Sequence, residues 1–130
     1  MLADAAQAVN GKLYILGGGW SVLHQAAPFA IALKIEVPWS EATDEHRLRL
    51  DLLDEDGRVV LGPEGEPLVT VDANFTTGIP AGTKQGTPID AVATFAIPAL
   101  PLSAGRYEWR LTIDDQGDED WYVAFTRLGD

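Results

Sequence analysis

An all-β sandwich with Greek-key connections and about eight strands is the fold this sequence predicts. Three observations carry that expectation. Runs of residues alternating apolar and polar recur along the whole chain, turn residues punctuate them at short intervals, and no stretch has a sustained helical period. The clearest run is 105–114, where Tyr107, Trp109, Leu111 and Ile113 share one face while Arg106, Glu108, Arg110 and Thr112 take the other. After a polar turn, Asp115-Gln116-Gly117-Asp118, the run Trp121-Tyr122-Val123-Ala124-Phe125 alternates again, so a hairpin is expected. Its aromatics make it the expected heart of the core, because aromatic side chains bury the most area per residue.

The earlier elements follow in order. Residues 3–9 are rich in alanine, which favours helix. Asn10-Gly11 is the preferred type I′ turn, however, and Lys12-Leu13-Tyr14-Ile15-Leu16 reads as a strand, so an opening hairpin is predicted. Gly17-Gly18-Gly19-Trp20 marks a bulge or a departure from the sheet. Phe29, Ile31, Leu33, Ile35 and Val37 define the next strand, which Pro38 ends. Ser40 is placed to cap one helical turn over 41–45. Period two resumes over 46–52, and Asp54-Glu55-Asp56-Gly57 is a turn. A short return strand is expected over 58–61, and another strand over 68–76 with Val69, Val71, Ala73 and Phe75 inward. Residues 77–87 form the longest stretch without a pattern, a length that marks a functional or mobile loop. A strand over 89–97 and a proline-containing crossing, 98–104, lead to the final hairpin.

One domain, 1–130, accommodates this length, with no internal repeat and no linker. The absence of cysteine removes disulfide scaffolds, thiol nucleophiles and thiolate metal sites together. Met1-Leu2-Ala3-Asp4 shows neither a basic region nor a long apolar stretch, and every apolar run is too short to span a membrane. A cytoplasmic, soluble protein is therefore expected. A formal net charge of −11 opposes binding to nucleic acid or anionic lipid. Arg47, Arg49, Arg106 and Arg110 fall on one predicted sheet face, but Asp51 and Glu108 oppose them, which points to cross-strand charge pairing.

Two resemblances bear on the fold. Leu102-Ser103-Ala104-Gly105-Arg106-Tyr107-Glu108-Trp109 is similar to the corner before the penultimate strand of immunoglobulin-like sandwiches. That likeness implies that the Tyr107 hydroxyl bonds back to upstream backbone. Trp109 stands where antibody domains carry cysteine, so a true antibody-type domain is excluded. The opening Ala3-Asp4-Ala5-Ala6-Gln7, with 10–20, Val37-Pro38-Trp39 and 50–57, resembles a family of small uncharacterised bacterial proteins. Neither likeness implies an activity or a set of site residues.

Chemistry is sparse. Ser21, Ser40 and Ser103 lie in no nucleophile elbow, and His24 and His46 lie in no recognised relation to them. Gly17-Gly18-Gly19 and Gly78-to-Lys84 lack the order of a phosphate-binding loop. Two acidic turns, with Asp54 and Asp56 in one and Asp115 and Asp118 in the other, would supply oxygen ligands to Ca²⁺ if they met at one end of a sandwich. Carboxylates at a hairpin tip are more often solvated, and no metal, cofactor or catalytic residue is assigned. Trp20 and Trp39, at strand ends, either cap the core or stack on a sugar or a partner.

A non-enzymatic interaction or structural module is the expectation, one that binds a protein partner or self-associates. Its contact residues are placed at Trp20, Trp39, Ile79 and Lys84 or along an exposed strand edge. The alternative is a module for Ca²⁺ or carbohydrate. A small hydrolase would need His24 or His46 beside a carboxylate.

Overall fold

The computed structural model describes residues 1–129. The strands are β1 (Leu2–Val9), β2 (Lys12–Gly18), β3 (Val22–Leu23), β4 (Phe29–Val37), β5 (His46–Leu53), β6 (Thr70–Phe75), β7 (Ile89–Ile97), β8 (Gly105–Ile113) and β9 (Gln116–Arg127). They form two sheets, ordered β2-β1-β4-β7 and β3-β9-β8-β5-β6. Every pairing is antiparallel except the short one between β3 and β9. The chain visits the second sheet briefly at β3, changes sheet again between β4 and β5, returns between β6 and β7, and crosses once more before β8, so the connections are of the Greek-key kind.

Alternation places the core between the sheets. Phe29 and Ile31 of β4, Ile97 of β7, Leu48, Leu50 and Leu52 of β5, Tyr107 and Trp109 of β8 and Phe125 of β9 are all buried in one cluster. Phe29 sits at its centre, edge-on to Trp20 at 5.5 Å and to Trp109 at 6.4 Å, with Phe125 at 6.3 Å. The Tyr107 hydroxyl donates to the Ser103 carbonyl at 2.8 Å, closing the corner into β8.

Four local expectations need correction. Residues 58–61 make no strand; two isolated bridges, Leu53↔Val59 and Leu61↔Pro67, stand in its place. Prolines cannot donate to a ladder, and the loop enclosed by the second bridge closes on itself through Gly62 N–H to the Glu66 carbonyl at 2.6 Å. The turn after β4 is a 3₁₀ turn, Trp39–Glu41, preceded by Pro38 at φ −56°, and Ser40 lies inside it without capping. The final hairpin turns at Asp114-Asp115, with φ of 53° and 64°, so Gln116, Gly117 and Asp118 already belong to β9. Two positive φ values make the twist that a two-residue hairpin needs, and aspartate tolerates that region better than most residues.

The register of β8 and β9 then slips: Thr112 faces Gly117 but Arg110 faces Tyr122, so residues 118–121 bulge opposite Leu111 alone. That bulge explains the fourth correction. Phe125 enters the core, while Trp121 and Tyr122 stay exposed.

Candidate interaction surface

The hairpin of β1 and β2 is the part of the fold least covered by the rest. Asn10 and Gly11 make its turn with φ of 52° and 74°, the two positive values of a type I′ turn. Among the described residues β1 pairs with β4 only through Leu2↔Ile31 and Ala3↔Ala30, and beyond Ala3 its sole strand partner is β2. β2 in turn pairs with β1 alone and ends its sheet. At the other end, Gly17 adopts φ 61°, and a Cβ there would lie 2.3 Å from Asp4 Oδ2, so the close approach of the arms requires glycine. Ala8 and Gly11 at the tip share a groove with Asp90, Ala91, Val92 and Ala93 of β7.

Along β2 the side chains are apolar and in water. Leu16 is 72 % exposed, Tyr14 56 % and Ile15 38 %, with only Leu13 half-buried. Hairpin geometry also fixes the backbone. Residues flanking a two-residue turn form a hydrogen-bonded pair, so Val9 with Lys12, Gln7 with Tyr14 and Ala5 with Leu16 satisfy one another. The N–H and C=O groups of Leu13 and Ile15 consequently face the open side. A free edge and an apolar surface coincide on one strand.

The other candidates are distributed differently. Asp54 and Asp56 follow the end of β5, where Leu53 faces Glu108 near the start of β8; Asp115 follows the end of β8, beside Arg47 at the start of β5. The two acidic turns therefore lie at opposite ends of the β5–β8 pair and cannot share an ion. Asp54 Oδ1 accepts from the N–H groups of Asp56 and Arg58, at 2.9 and 3.0 Å, and Asp118 Oδ1 accepts from Asp120 N–H at 2.9 Å. Among the described residues no three acidic or histidine side chains group as metal ligands.

Trp20 packs half-buried on Phe29, and Trp39 is half-buried in the 3₁₀ turn. Ile79 and Lys84 lie exposed on the loop before β7. That loop has more order than its sequence suggests: Thr77 Oγ1 donates to the Ala42 carbonyl, and successive turns close through Thr83 N–H to Pro80 O and Thr87 N–H to Lys84 O, both at 3.1 Å.

Arg47, Arg49 and Arg110 are paired, though less across strands than the sequence suggests. Arg47 makes a fork with Asp72 of β6 at 3.0 and 2.7 Å, whereas Arg49 holds Asp51 and Arg110 holds Glu108 along their own strands. The Arg110 guanidinium also lies over the Tyr122 ring, 5.7 Å from its centre.

One pair escaped the sequence reading. His46 Nδ1 lies 2.7 Å from Asp114 Oδ2, and Nε2 lies 2.8 Å from the Glu41 carbonyl. Both partners only accept, so the ring satisfies both as the imidazolium. The bonds from Asp114 and Glu41 raise the His46 pKa against the opposing effect of burial, and the bonds from His46 and Arg47 N–H lower that of Asp114. His46 does stand beside a carboxylate, yet its second nitrogen is occupied, which leaves no lone pair for a nucleophile's proton. The pair borders a cavity of about 360 Å³ at the end of the sandwich, with Ile35, Phe75, Ile113 and Trp121 among its walls.

Among the described residues no helix is long and apolar enough to cross a membrane. No curated protein matches the sequence. A family of unknown function, DUF6941, matches residues 1–122 of the 130, and the protein belongs to that family.

Proposed function

We propose that the protein is a non-enzymatic interaction module that engages another polypeptide by strand addition along β2. The carrying observation is the coincidence of an unpaired strand edge with exposed Tyr14, Ile15 and Leu16. Strand addition takes its affinity from main-chain hydrogen bonds and its selectivity from alternate side chains, and β2 offers both. An isolated two-stranded hairpin is marginal in water and gains stability from a third strand. The framework fits an immunoglobulin-like arrangement, a reading supported by the Tyr107–Ser103 bond and the Greek-key crossings.

β2 is preferred to the loop carrying Ile79 and Lys84 because that loop spends hydrogen-bonding groups on its own turns. Photoreactive benzoylphenylalanine placed at Leu16 or at Lys84, in cells producing the protein, separates the two. Adducts to a polypeptide are expected from position 16 and none from position 84. The reverse pattern would move the contact to the loop.

A further inference from the structure

The chemistry of β2 narrows what can lie against it. Residues 2–18 contain one acid, Asp4, and one base, Lys12, in a chain whose formal net charge is −11. Acids mark other free edges: β6 carries Asp72, held by Arg47, β7 carries Asp90, 3.5 Å from Lys34, and the β9 bulge presents Asp118, Glu119 and Asp120. Two copies brought together at the β9 bulge would set carboxylates against carboxylates, and like charges facing across strands destabilise pairing. At β2 two copies meet without that opposition.

The backbone also prescribes a register. The outward groups belong to Leu13 and Ile15, so any added strand must form its hydrogen-bonded pairs there. A twofold axis through Ile15 would require Gly17, whose φ of 61° breaks strand geometry, to pair as well. An axis through Leu13 would call on Gly11, which is committed to the turn at φ 74°. An axis through Tyr14 avoids both. It sets Leu13 of each copy against Ile15 of the other as hydrogen-bonded pairs, and Tyr14 against its own counterpart as a non-hydrogen-bonded pair, where side chains come closest. Lys12 then faces Leu16, and no like charges meet.

From this geometry we propose that β2 pairs antiparallel with β2 of a second copy about a twofold axis at Tyr14, joining the two β2-β1-β4-β7 sheets edge to edge into one continuous sheet of eight strands. This rests on β2 being the interaction strand. The symmetric contact is isologous and closes on itself as a dimer.

The chain has no cysteine, so a single introduced thiol is an unambiguous reporter. Facing residues in a non-hydrogen-bonded pair have Cα atoms about 4.5 Å apart, inside the range a disulfide spans. Wild-type protein should sediment as a 14.0 kDa species when dilute and at twice that mass when concentrated. Tyr14→Cys should form a disulfide dimer under mild oxidation about tenfold faster than Leu61→Cys, an exposed site remote from β2, because pairing raises the effective thiol concentration. Ile15→Pro, which deletes an outward N–H, should sediment as monomer with an unchanged far-ultraviolet spectrum. A wild-type mass of 14.0 kDa from micromolar to millimolar concentration would overturn the proposal, as would equal rates for the two cysteine variants. If the protein stays monomeric while position 16 still photo-crosslinks to a different polypeptide, the second copy is wrong and the strand is right. If position 16 gives no adduct at all, both fail.

Discussion

His46 and Asp114, 68 residues apart in sequence, are held at 2.7 Å where β5 begins and β8 ends. With the bond from His46 Nε2 to the Glu41 carbonyl, the pair fastens the 3₁₀ turn, the start of β5 and the final hairpin turn to one another. Asp114 completes the clasp by accepting from Arg47 N–H at 2.9 Å.

The clasp predicts a pH dependence of stability. A histidine with a raised pKa contributes fully below about pH 6.5, its ordinary value, and that contribution disappears as pH rises through the raised one. A carboxylate with a lowered pKa contributes fully above about pH 4 and loses it as pH falls through the lowered value. Both are intact between those two limits, so unfolding free energy should fall on going from pH 6.5 toward pH 8. In Asp114→Asn the amide oxygen still accepts from Arg47 N–H, and asparagine tolerates the φ of 53°. NMR titration should then show the His46 pKa dropping back toward its ordinary value, and the fall in stability should flatten. An unchanged titration would mean that Asp114 does not hold the imidazolium.

Tyr107 is buried, stacked on Phe125 at 5.6 Å, and spends its hydroxyl on Ser103 O. Tyr107→Phe keeps the stacking and deletes one hydrogen bond, so it should cost about 1 kcal/mol, or about 3–5 °C in melting temperature. Trp109→Ala, at 1 % exposure beside Phe29, should cost about 3–5 kcal/mol through the cavity it leaves. Urea unfolding of both variants measures the contrast.

Because the acidic turns are apart, millimolar Ca²⁺ should leave the melting temperature where chelator leaves it. Asp54→Ala should still destabilise by about 1 kcal/mol, since Asp56 N–H and Arg58 N–H lose their acceptor. A saturable upward shift with Ca²⁺ would contradict this placement.

Leu16 is mostly in water in the single chain, so Leu16→Lys should change its unfolding free energy by less than about 0.5 kcal/mol. The same change sets charge on the contact strand and should abolish association. Dilute and concentrated melting curves read the two effects separately.

Much of the fold was legible because period two and turn chemistry are local. Asn10-Gly11 overrode the helical preference of the alanines before it, and Phe29, Tyr107 and Trp109 declared their buried faces. What escaped was non-local or conformational. No spacing connects His46 with Asp114, which only the β5–β8 register brings together. Asp114-Asp115 was hidden as a turn by the glycine at Gly117, which draws the eye to a turn two residues late. Trp20 and Trp39, read from sequence either as caps of the core or as contact residues, are half-buried, one packed on the core and one in the 3₁₀ turn. Tyr14, Ile15 and Leu16 read only as part of a strand. An apolar strand that is half-covered by its own fold and one that awaits another chain have the same sequence signature.

Amide hydrogen exchange along β2 tests the central claim most directly. Tyr14 and Leu16 donate to β1, whereas Leu13 and Ile15 donate outward, so the four amides form an internal comparison. In dilute protein Leu13 and Ile15 should exchange rapidly while Tyr14 and Leu16 are protected. At high concentration, where chains associate, all should become protected. If Leu13 and Ile15 remain fast in associated protein while protection appears elsewhere, β2 is not the strand by which this protein engages another chain.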